Sequence, residues 1–244
     1  VIAAYNEREN IESLTRRINA VFRSRPGAWE LLYVIEGTDG TLPIVEGLSR
    51  EIPEIRILYR KEPEGLGNAF RRGFAAVSDS VRFVVTMDAD LNHQPEEIPR
   101  LLMCLKDRKA DILVGSRFIQ GGRVDGTPAW KLFLSSTLNV MMRILFGLRI
   151  KDKTSGFRVY RVEALRALAF ENGEFAFLPE LLIRANARGM RIVEEPIHFI
   201  FRTRGTSKMH IGKTAVSYLS LLKLAFRHER KDGSVKASGR TRDP

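Results

Sequence analysis

The sequence predicts an α/β fold: a doubly wound, mostly parallel central sheet flanked by helices. Three observations carry that expectation. Short apolar runs alternate with helical patterns from Val1 to Gly115, the order in which parallel strands and crossover helices are laid down. The run Val81–Met87 is predominantly apolar, as in a strand covered on both faces. Polar residues follow the strand segments: Tyr5-Asn6-Glu7, Glu36-Gly37-Thr38-Asp39-Gly40, Asp88-Ala89-Asp90 and Ser116-Arg117. In open parallel sheets ligands bind beyond the carboxyl ends of the strands, so these residues are the first candidates for function.

The elements follow in order. Val1–Ala4 reads as a strand. Ile11, Leu14, Ile18, Val21 and Phe22 form the stripe of an amphipathic helix. Leu31–Ile35 is a strand, followed by a Gly-rich turn and a short helix near Pro43–Arg50. Ile55–Tyr59 is a strand, and Gly65–Gly67 opens a helix running to about Val77. After Val81–Met87, Pro95–Leu105 is a helix with Pro at its start, where Pro is tolerated. Ile112–Gly115 is a strand. Trp130–Gly147 is apolar but carries Lys131, Asn139 and Arg143, as a surface or interface helix does. Phe157–Arg161 reads as a strand, Pro179–Arg188 as a helix and Arg191–Phe201 as an extended stretch. Gly205-Thr206-Ser207-Lys208 is a loop. From Lys213 onward, Lys213, Ser217, Ser220 and Arg227 share one helical face, and Val216, Leu219, Leu222 and Phe226 the opposite one. Beyond Arg227 the composition turns polar and disorder is expected to Pro244.

With 244 residues, the chain is one large domain or two small ones. At 44% hydrophobic and 28% charged residues it is neither disordered, collagenous nor fibrous. Forty Lys and Arg against 29 Asp and Glu give a net charge of +11. Nucleic acid, an anionic membrane and a phosphorylated substrate all fit that excess. Cys104 is the only cysteine, which excludes an intramolecular disulfide and a cysteine zinc cluster and leans toward a reducing compartment. No run of 18 apolar residues occurs, so no segment spans a bilayer by itself. The chain begins at Val1 inside an apolar run and is read as a fragment lacking the first residues of a strand; no signal peptide is visible.

Asp88-Ala89-Asp90 is the strongest local signal. Two carboxylates leaving a buried strand repel. A divalent cation sharing their oxygens with substrate phosphates resolves the repulsion, with Asn92 and His93 as further ligands. The alternative is a pair of solvated acids capping the helix at Pro95. At Tyr5-Asn6-Glu7, stacking by Tyr5 on a base and acceptance of base or ribose hydrogen bonds by Glu7 compete with simple helix capping by Asn6. The glycines after Glu36 fit either a ligand approach or a plain turn. Gly65-Leu66-Gly67 lacks the third glycine of a dinucleotide fingerprint, and no phosphate-loop motif occurs. Arg202-Thr203-Arg204-Gly205-Thr206-Ser207-Lys208 fits a phosphate clamp or a solvated loop, and Arg117 carries the same two readings.

Taken together and in order, these motifs resemble family 2 glycosyltransferases, within them the dolichyl-phosphate mannosyltransferase (polyprenyl-phosphate glycosyltransferase) group. The residues carrying the resemblance are Tyr5-Asn6-Glu7-Arg8-Glu9-Asn10, Asp39-Gly40-Thr41, Gly65-Leu66-Gly67-Asn68-Ala69, Met87-Asp88-Ala89-Asp90-Leu91, Gly115-Ser116-Arg117, Asp152-Lys153-Thr154-Ser155-Gly156-Phe157-Arg158 and the Arg202–Lys208 run. The resemblance implies a GT-A fold with residues 1–227 as one catalytic domain, residues 210–227 forming an amphipathic interface helix, and a basic tail over 228–244. It implies a nucleotide-sugar donor, most often GDP-mannose, a Mg²⁺ or Mn²⁺ ion and a polyprenyl or dolichyl phosphate acceptor. Ala3, Tyr5 and Glu7 would hold the nucleotide, with Ile35 and Glu36 beside it. Asp88, Ala89 and Asp90 would face the diphosphate, and Asp88, Asp90 and Asn92 the metal. Arg117, Arg202 and Lys208 would gather phosphates, completing with Asp90 the catalytic set. The chain departs from the family pattern in three places: Ala3 stands where Pro is usual, Ile35-Glu36 where paired acids are usual, and the following loop is one residue short. The Gln-x-x-Arg-Trp signature of processive synthases is absent.

The implied chemistry is direct displacement with inversion. The acceptor is already an anion, so no strong base is required, and no Ser/His/Asp or Cys/His constellation is evident; Glu180 would serve as base only for a hydroxyl acceptor and otherwise reads as surface decoration of a helix. Trp130–Gly147 and Lys213–Arg227, apolar with flanking cations, read as interfacial helices or as core-packed ones. Peripheral attachment to the cytoplasmic side of a membrane is expected. The other classes are a transferase using UDP-sugars or a hydroxyl acceptor, a non-catalytic nucleotide-sugar binding module, and nucleic-acid binding, for which no motif beyond charge exists.

Overall fold

A computed structural model describes residues 1–23, 25, 27–201 and 211–221, with the backbone alone over 211–215. β1 (Ile2–Tyr5), β2 (Leu31–Glu36) and β3 (Ile55–Arg60) form a parallel sheet in that order. β4 (Phe83–Thr86), β5 (Ile112–Ser116), β7 (Arg158–Arg161) and β8 (Ile192–Pro196) form a second sheet, ordered β4-β7-β5-β8. The two meet where the Val1 amino group donates to the Val85 carbonyl at 2.7 Å. A short parallel pair, β6 (Arg123–Asp125) with β9 (His198–Ile200), lies apart.

Alternation along the strands creates two cores. Ile2, Ala4, Tyr33, Ile35, Leu113 and Val159 belong to one. It is closed by α1 (Ile11–Arg23), α2 (Thr41–Glu51) and α4 (Ile98–Asp107), which contribute Leu14, Val45 and Leu101. Ile112, Val114, Tyr160 and Val84 point the other way. They meet α3 (Leu66–Ala75), α6 (Val162–Ala167) and α7 (Phe177–Ala187) through Phe70, Leu165 and Leu181. Successive side chains of a strand point to opposite faces, so helices on both sides are the required solution.

Three expectations change. β7 runs antiparallel between β4 and β5. The reason is connectivity: Arg158, at the start of β7, pairs with Thr86, at the end of β4. The chain re-enters from the carboxyl edge after the excursion through α5 (Ala129–Phe146) and must run downward. The run Val81–Met87 shortens to a four-residue β4 packed on both faces, although Phe83 and Val85 are only half-buried. The Arg191–Phe201 stretch divides into β8 and β9, which join different sheets.

The two candidate interface helices each keep an apolar stripe outside. On α5, Phe133 is 74% and Ile144 77% exposed, and with Trp130 and Val140 they form an outward stripe. The inward face carries Ser135, Asn139 and Met142; the last two are buried, and Ser135 bonds to Thr154. In α8 (Ile211–Ser220), Ser217 and Tyr218 are buried, as is Leu221 just beyond, whereas Val216 and Leu219 are 68% and 61% exposed. The polar stripe read from sequence therefore faces inward at Ser217, and the apolar one faces out. The rest of the expected 210–227 helix beyond residue 221, and the 228–244 tail, lie outside the described residues. Among those described, no helix is long and apolar enough to cross a membrane.

Candidate active site

A cavity of about 560 Å³ opens at the carboxyl ends of β1, β2 and β4, between α3 and α5. Its polar lining includes Tyr5, Glu7, Glu36, Asp88, Asp90, Asn92 and Arg117. Leu132, Leu134, Leu138, Phe175 and Leu178 are among its apolar lining.

The loops after β1 and β2 brace one another. Asp39 accepts from the Arg8 N–H at 3.0 Å and from the Thr41 N–H and hydroxyl at 3.0 and 2.6 Å. Thr41 Oγ1 accepts from the Glu7 N–H at 2.9 Å. Asn6 Oδ1 accepts from the Thr38 N–H at 3.2 Å. A Cβ on Gly37, at φ 94°, would lie 2.1 Å from that oxygen, so only glycine fits there. The Asp39-Gly40-Thr41 motif is thus a brace that presents Tyr5 and Glu7 to the cavity. Ala3, Tyr5, Glu7, Glu36 and Ala89 all line it. Ile35 does not: its side chain points into the core at 1% exposure, and Val34 takes the lining position. The register explains this, because neighbours in a strand face opposite ways. Glu36 is held by Arg72 at 2.5 Å and by the Glu64 N–H. Burial raises its pKa above the usual carboxylate range, and Arg72 offsets only part of that shift.

At the turn after β4, Asn92 donates its backbone N–H to Asp90 Oδ1 at 3.2 Å and its amide Nδ2 to Oδ2 at 2.9 Å. That leaves Asn92 Oδ1 buried with no hydrogen-bond partner among the described residues. An orphaned buried oxygen beside two carboxylates is the donor set a hard divalent cation completes, so Asp88, Asp90 and Asn92 fit such an ion. No group of three His, Cys, Asp or Glu gathers among the described residues, so the amide oxygen would be the third protein donor. His93 departs from the ligand expectation: its Nδ1 accepts from the Asp88 N–H at 3.2 Å, and burial lowers its pKa to about 4. The neutral ring orients Asp88. Gly156 gives Asp88 room, because a Cβ there would lie 2.8 Å from its Oδ1.

Arg117 follows β5 and is fixed by a residue that sequence reasoning gave no role. Asp152 accepts from Arg117 Nε and Nη2, both at 2.8 Å, and from its N–H at 3.0 Å. Burial disfavours both charges, yet each outweighs the penalty on the other: the Asp152 pKa falls and that of Arg117 rises. Asp152 heads the Asp-Lys-Thr-Ser-Gly-Phe-Arg motif. Arg158, at the motif's other end, is fully buried and donates to the carbonyls of Ser155, Leu178 and Lys153 at 2.7–2.8 Å. The motif is therefore a rigid shelf under Arg117. Lys131, in the first turn of α5, also lines the cavity, its Nζ 4.6 Å from the Phe201 ring centroid. The sequence alone marks it only as one of the polar residues of a surface or interface helix; its place two residues after a helix start is the available signal. Arg202 and Lys208 lie outside the described residues. Glu180 is neither a base nor surface decoration. It is buried and accepts from the N–H groups of Glu171 and Asn172 and from Arg184 at 2.8–2.9 Å.

The arrangement resembles known proteins over most of its length. An undecaprenyl-phosphate mannosyltransferase from Micrococcus luteus is 36% identical over 216 residues, 87% of each chain. A polyprenol monophosphomannose synthase from Mycolicibacterium smegmatis is 37% identical, over 86% of this chain and 79% of that one. A dolichol-phosphate mannosyltransferase from Pyrococcus furiosus is 37% identical over 90% of this chain, which spans 60% of that protein. In fold, the chain superposes on glucosyl-3-phosphoglycerate synthase from Mycobacterium tuberculosis, solved with Mn²⁺, UDP and phosphoglyceric acid. The TM-score is 0.66 at 20% identity, covering 91% of this chain and 76% of the other. The profile of Glycosyl transferase family 2 matches residues 1–169, the stretch that contains the braced loops, the Asp88–Asn92 turn and the shelf under Arg117, and the chain belongs to that family.

Proposed function

We propose that this glycosyltransferase moves mannose from GDP-mannose onto a polyprenyl or dolichyl phosphate, with inversion, at a membrane surface, and that residues 1–227 form its catalytic domain. The observation that carries the reading is a cavity lined both by acids and a cation at the strand ends and by apolar side chains of α5 and α7. Its polar groups suit a nucleotide diphosphate, and its apolar groups include Leu132, Leu134 and Leu138 of α5, the helix whose outward stripe is apolar. An acceptor with an anionic head and a hydrocarbon tail matches both. The relatives named above supply the substrate class.

Asp88, Asp90 and Asn92 would hold Mg²⁺ or Mn²⁺, which when bound offsets charge building on the leaving diphosphate. The chain's own residues do the rest. Tyr5, Glu7 and Glu36 border the nucleoside end. Arg117 is neutralised on two nitrogens by Asp152 and pre-oriented, so its remaining edge meets phosphate at no cost in reorganisation. Lys131 adds a cation on the α5 side, and Arg202 and Lys208 are assigned to the phosphates by their motif. The phosphate oxygen of the acceptor attacks the anomeric carbon directly. Positioning and charge suffice, because no proton need be removed.

α5 and α8 would seat the protein on an anionic bilayer, apolar stripes inserted and the basic surface facing the headgroups. The test is a donor screen by product mass, using polyprenyl phosphate in vesicles with Mn²⁺ or Mg²⁺. GDP-mannose should give the mannosyl lipid, EDTA should stop it, and Asp90→Ala should abolish it. Full activity of Asp90→Ala would sink the metal assignment, and a UDP-sugar product would replace the donor.

A further inference from the structure

We propose that Glu174 is a specificity-determining residue for the donor, its carboxylate accepting hydrogen bonds from adjacent hydroxyls of the nucleotide-sugar. The inference deepens the proposed function and rests on its donor being a nucleotide-sugar.

Glu174 sits on the loop between α6 and α7, and that loop is fixed from three sides. Glu180 of α7 holds the N–H groups of Glu171 and Asn172. The Asn172 amide reaches α8, donating to the Ser217 carbonyl at 3.2 Å and to Ser220 Oγ at 3.0 Å. Its Oδ1 accepts from the Glu174 N–H at 2.9 Å. On the α3 side, the Asn68 N–H donates to the Gly173 carbonyl at 3.2 Å. A Cβ on Gly67 would lie 2.2 Å from the Asn172 carbonyl oxygen, and one on Gly65 would lie 2.6 Å from that of Gly173 and 2.9 Å from Glu174 Oε1. The glycines of Gly65-Leu66-Gly67 thus admit this loop, a role their motif did not disclose.

The loop places Glu174 on the cavity wall. The other acids there have partners or an assigned role: Glu7 binds Asn10, Glu36 binds Arg72, Glu64 binds Arg60, and Asp88 and Asp90 face the metal position. No described residue hydrogen-bonds or ion-pairs with the Glu174 carboxylate. An ionised carboxylate only accepts, and its two oxygens match two neighbouring O–H donors. The vicinal hydroxyls of a hexose or of the ribose offer that pair. A fixed loop makes such recognition selective, because the group is oriented before the ligand arrives.

The test titrates the full chain, with Mn²⁺, against GDP and GDP-mannose by calorimetry, for wild type, Glu174→Ala and Glu174→Gln, with melting temperatures alongside. Glu174→Ala should weaken GDP-mannose by about tenfold or more, as for a lost hydrogen bond to a charged group, and Glu174→Gln should recover part of the loss. Melting temperatures should stay at the wild-type value. A loss confined to GDP-mannose identifies the hexose as the ligand group; an equal loss for GDP identifies the ribose. Wild-type affinities in both variants overturn the proposal. So does an affinity loss that tracks a fall in melting temperature, which would make Glu174 a partner of the α3 N-terminus only. Wild type binding UDP and UDP-glucose instead overturns the GDP-mannose donor, and the same comparison then decides Glu174 on that pair.

Discussion

Asp152→Asn separates the support of Arg117 from Arg117 itself. Asp152 is fully buried and accepts from Arg117 through three nitrogens and from Thr154 Oγ1 at 3.1 Å. The Arg117 side chain is 13% exposed. Asparagine keeps one oxygen and turns an NH₂ toward the guanidinium, which leaves a buried cation with Asp88 as its remaining counter-charge. At about 4 Å and an effective dielectric of about 20, the lost attraction is about 4 kcal/mol. That lies within the roughly 3–5 kcal/mol seen when one partner of a buried pair is removed. For a chain of this size the melting temperature should fall by about 10 °C. Adding pyrophosphate should restore more stability to the variant than to wild type, because the anion replaces the lost carboxylate. The sign with pH is also fixed. The folded pKa of Asp152 lies below its ordinary 3.8, so the pair stabilises fully above that pH and fades as pH falls through the depressed folded value. The gap between wild type and variant should therefore narrow in acid. Thermal melts from pH 7 downward, with and without pyrophosphate, provide the measurement. A fall under about 2 °C, or equal pyrophosphate shifts in both proteins, would refute the reasoning.

Other consequences are as direct. Gly156→Ala should displace Asp88, the movable side of a 2.8 Å overlap. It should lower Mn²⁺-dependent transfer by about tenfold to a hundredfold while the melting temperature barely moves; full activity at wild-type Mn²⁺ levels would refute it. Glu180→Gln leaves its three donors with one acceptor oxygen fewer and should cost about 1–3 kcal/mol, read by urea unfolding, with a slope that stays two-state. The pair Phe133→Asp and Ile144→Asp removes two side chains worth about 1.5–3 kcal/mol each when buried. Co-sedimentation with anionic vesicles should fall by two orders of magnitude or more, while GDP affinity is unchanged; undiminished sedimentation would move the membrane face elsewhere.

The fold was legible where one physical rule acted alone. Ile11, Leu14 and Ile18 lie on one side of a helix whatever else the chain does, and the alternation of Ile2 and Ala4 against Val1 and Ala3 determines which core each joins. It was illegible where direction depended on a distant element. Nothing local to Arg158–Arg161 shows that the strand runs antiparallel; the position of α5 decides it. The boundary of α2 moved for a similar reason. Asp39 captures the Thr41 N–H, so the helix starts at Thr41 and not near Pro43.

The site was legible as a set of carboxylates and cations, but not as a division of labour among them. Asn92 is hydrogen-bonded to Asp90 and both line the cavity with Asp88, whereas Ile35, which the family resemblance alone puts beside the nucleotide, points into the core. The supporting groups were visible in the sequence as residues, Asp152 and Arg158 within one motif, but not in their supporting role. Asp152, Glu180 and Arg158 are ionisable residues in ordinary strand, loop and helix contexts, and only burial shows that each binds backbone or a single partner. Burial is also what makes them consequential. A charged group withdrawn from water holds its partner in one geometry, because every other geometry leaves it unsatisfied. Arg117 is therefore aimed before any phosphate arrives. Asn139 extends the same logic to α5: its side chain accepts from the Lys153 N–H at 2.8 Å and its carbonyl from the Lys153 ammonium at 3.0 Å. The inner face of α5 thus grips the shelf that carries Asp152, while its outer face offers Phe133 and Ile144 to the surroundings. A helix so bonded cannot shift without moving the shelf, so the position of α5 and the place of Arg117 are set together.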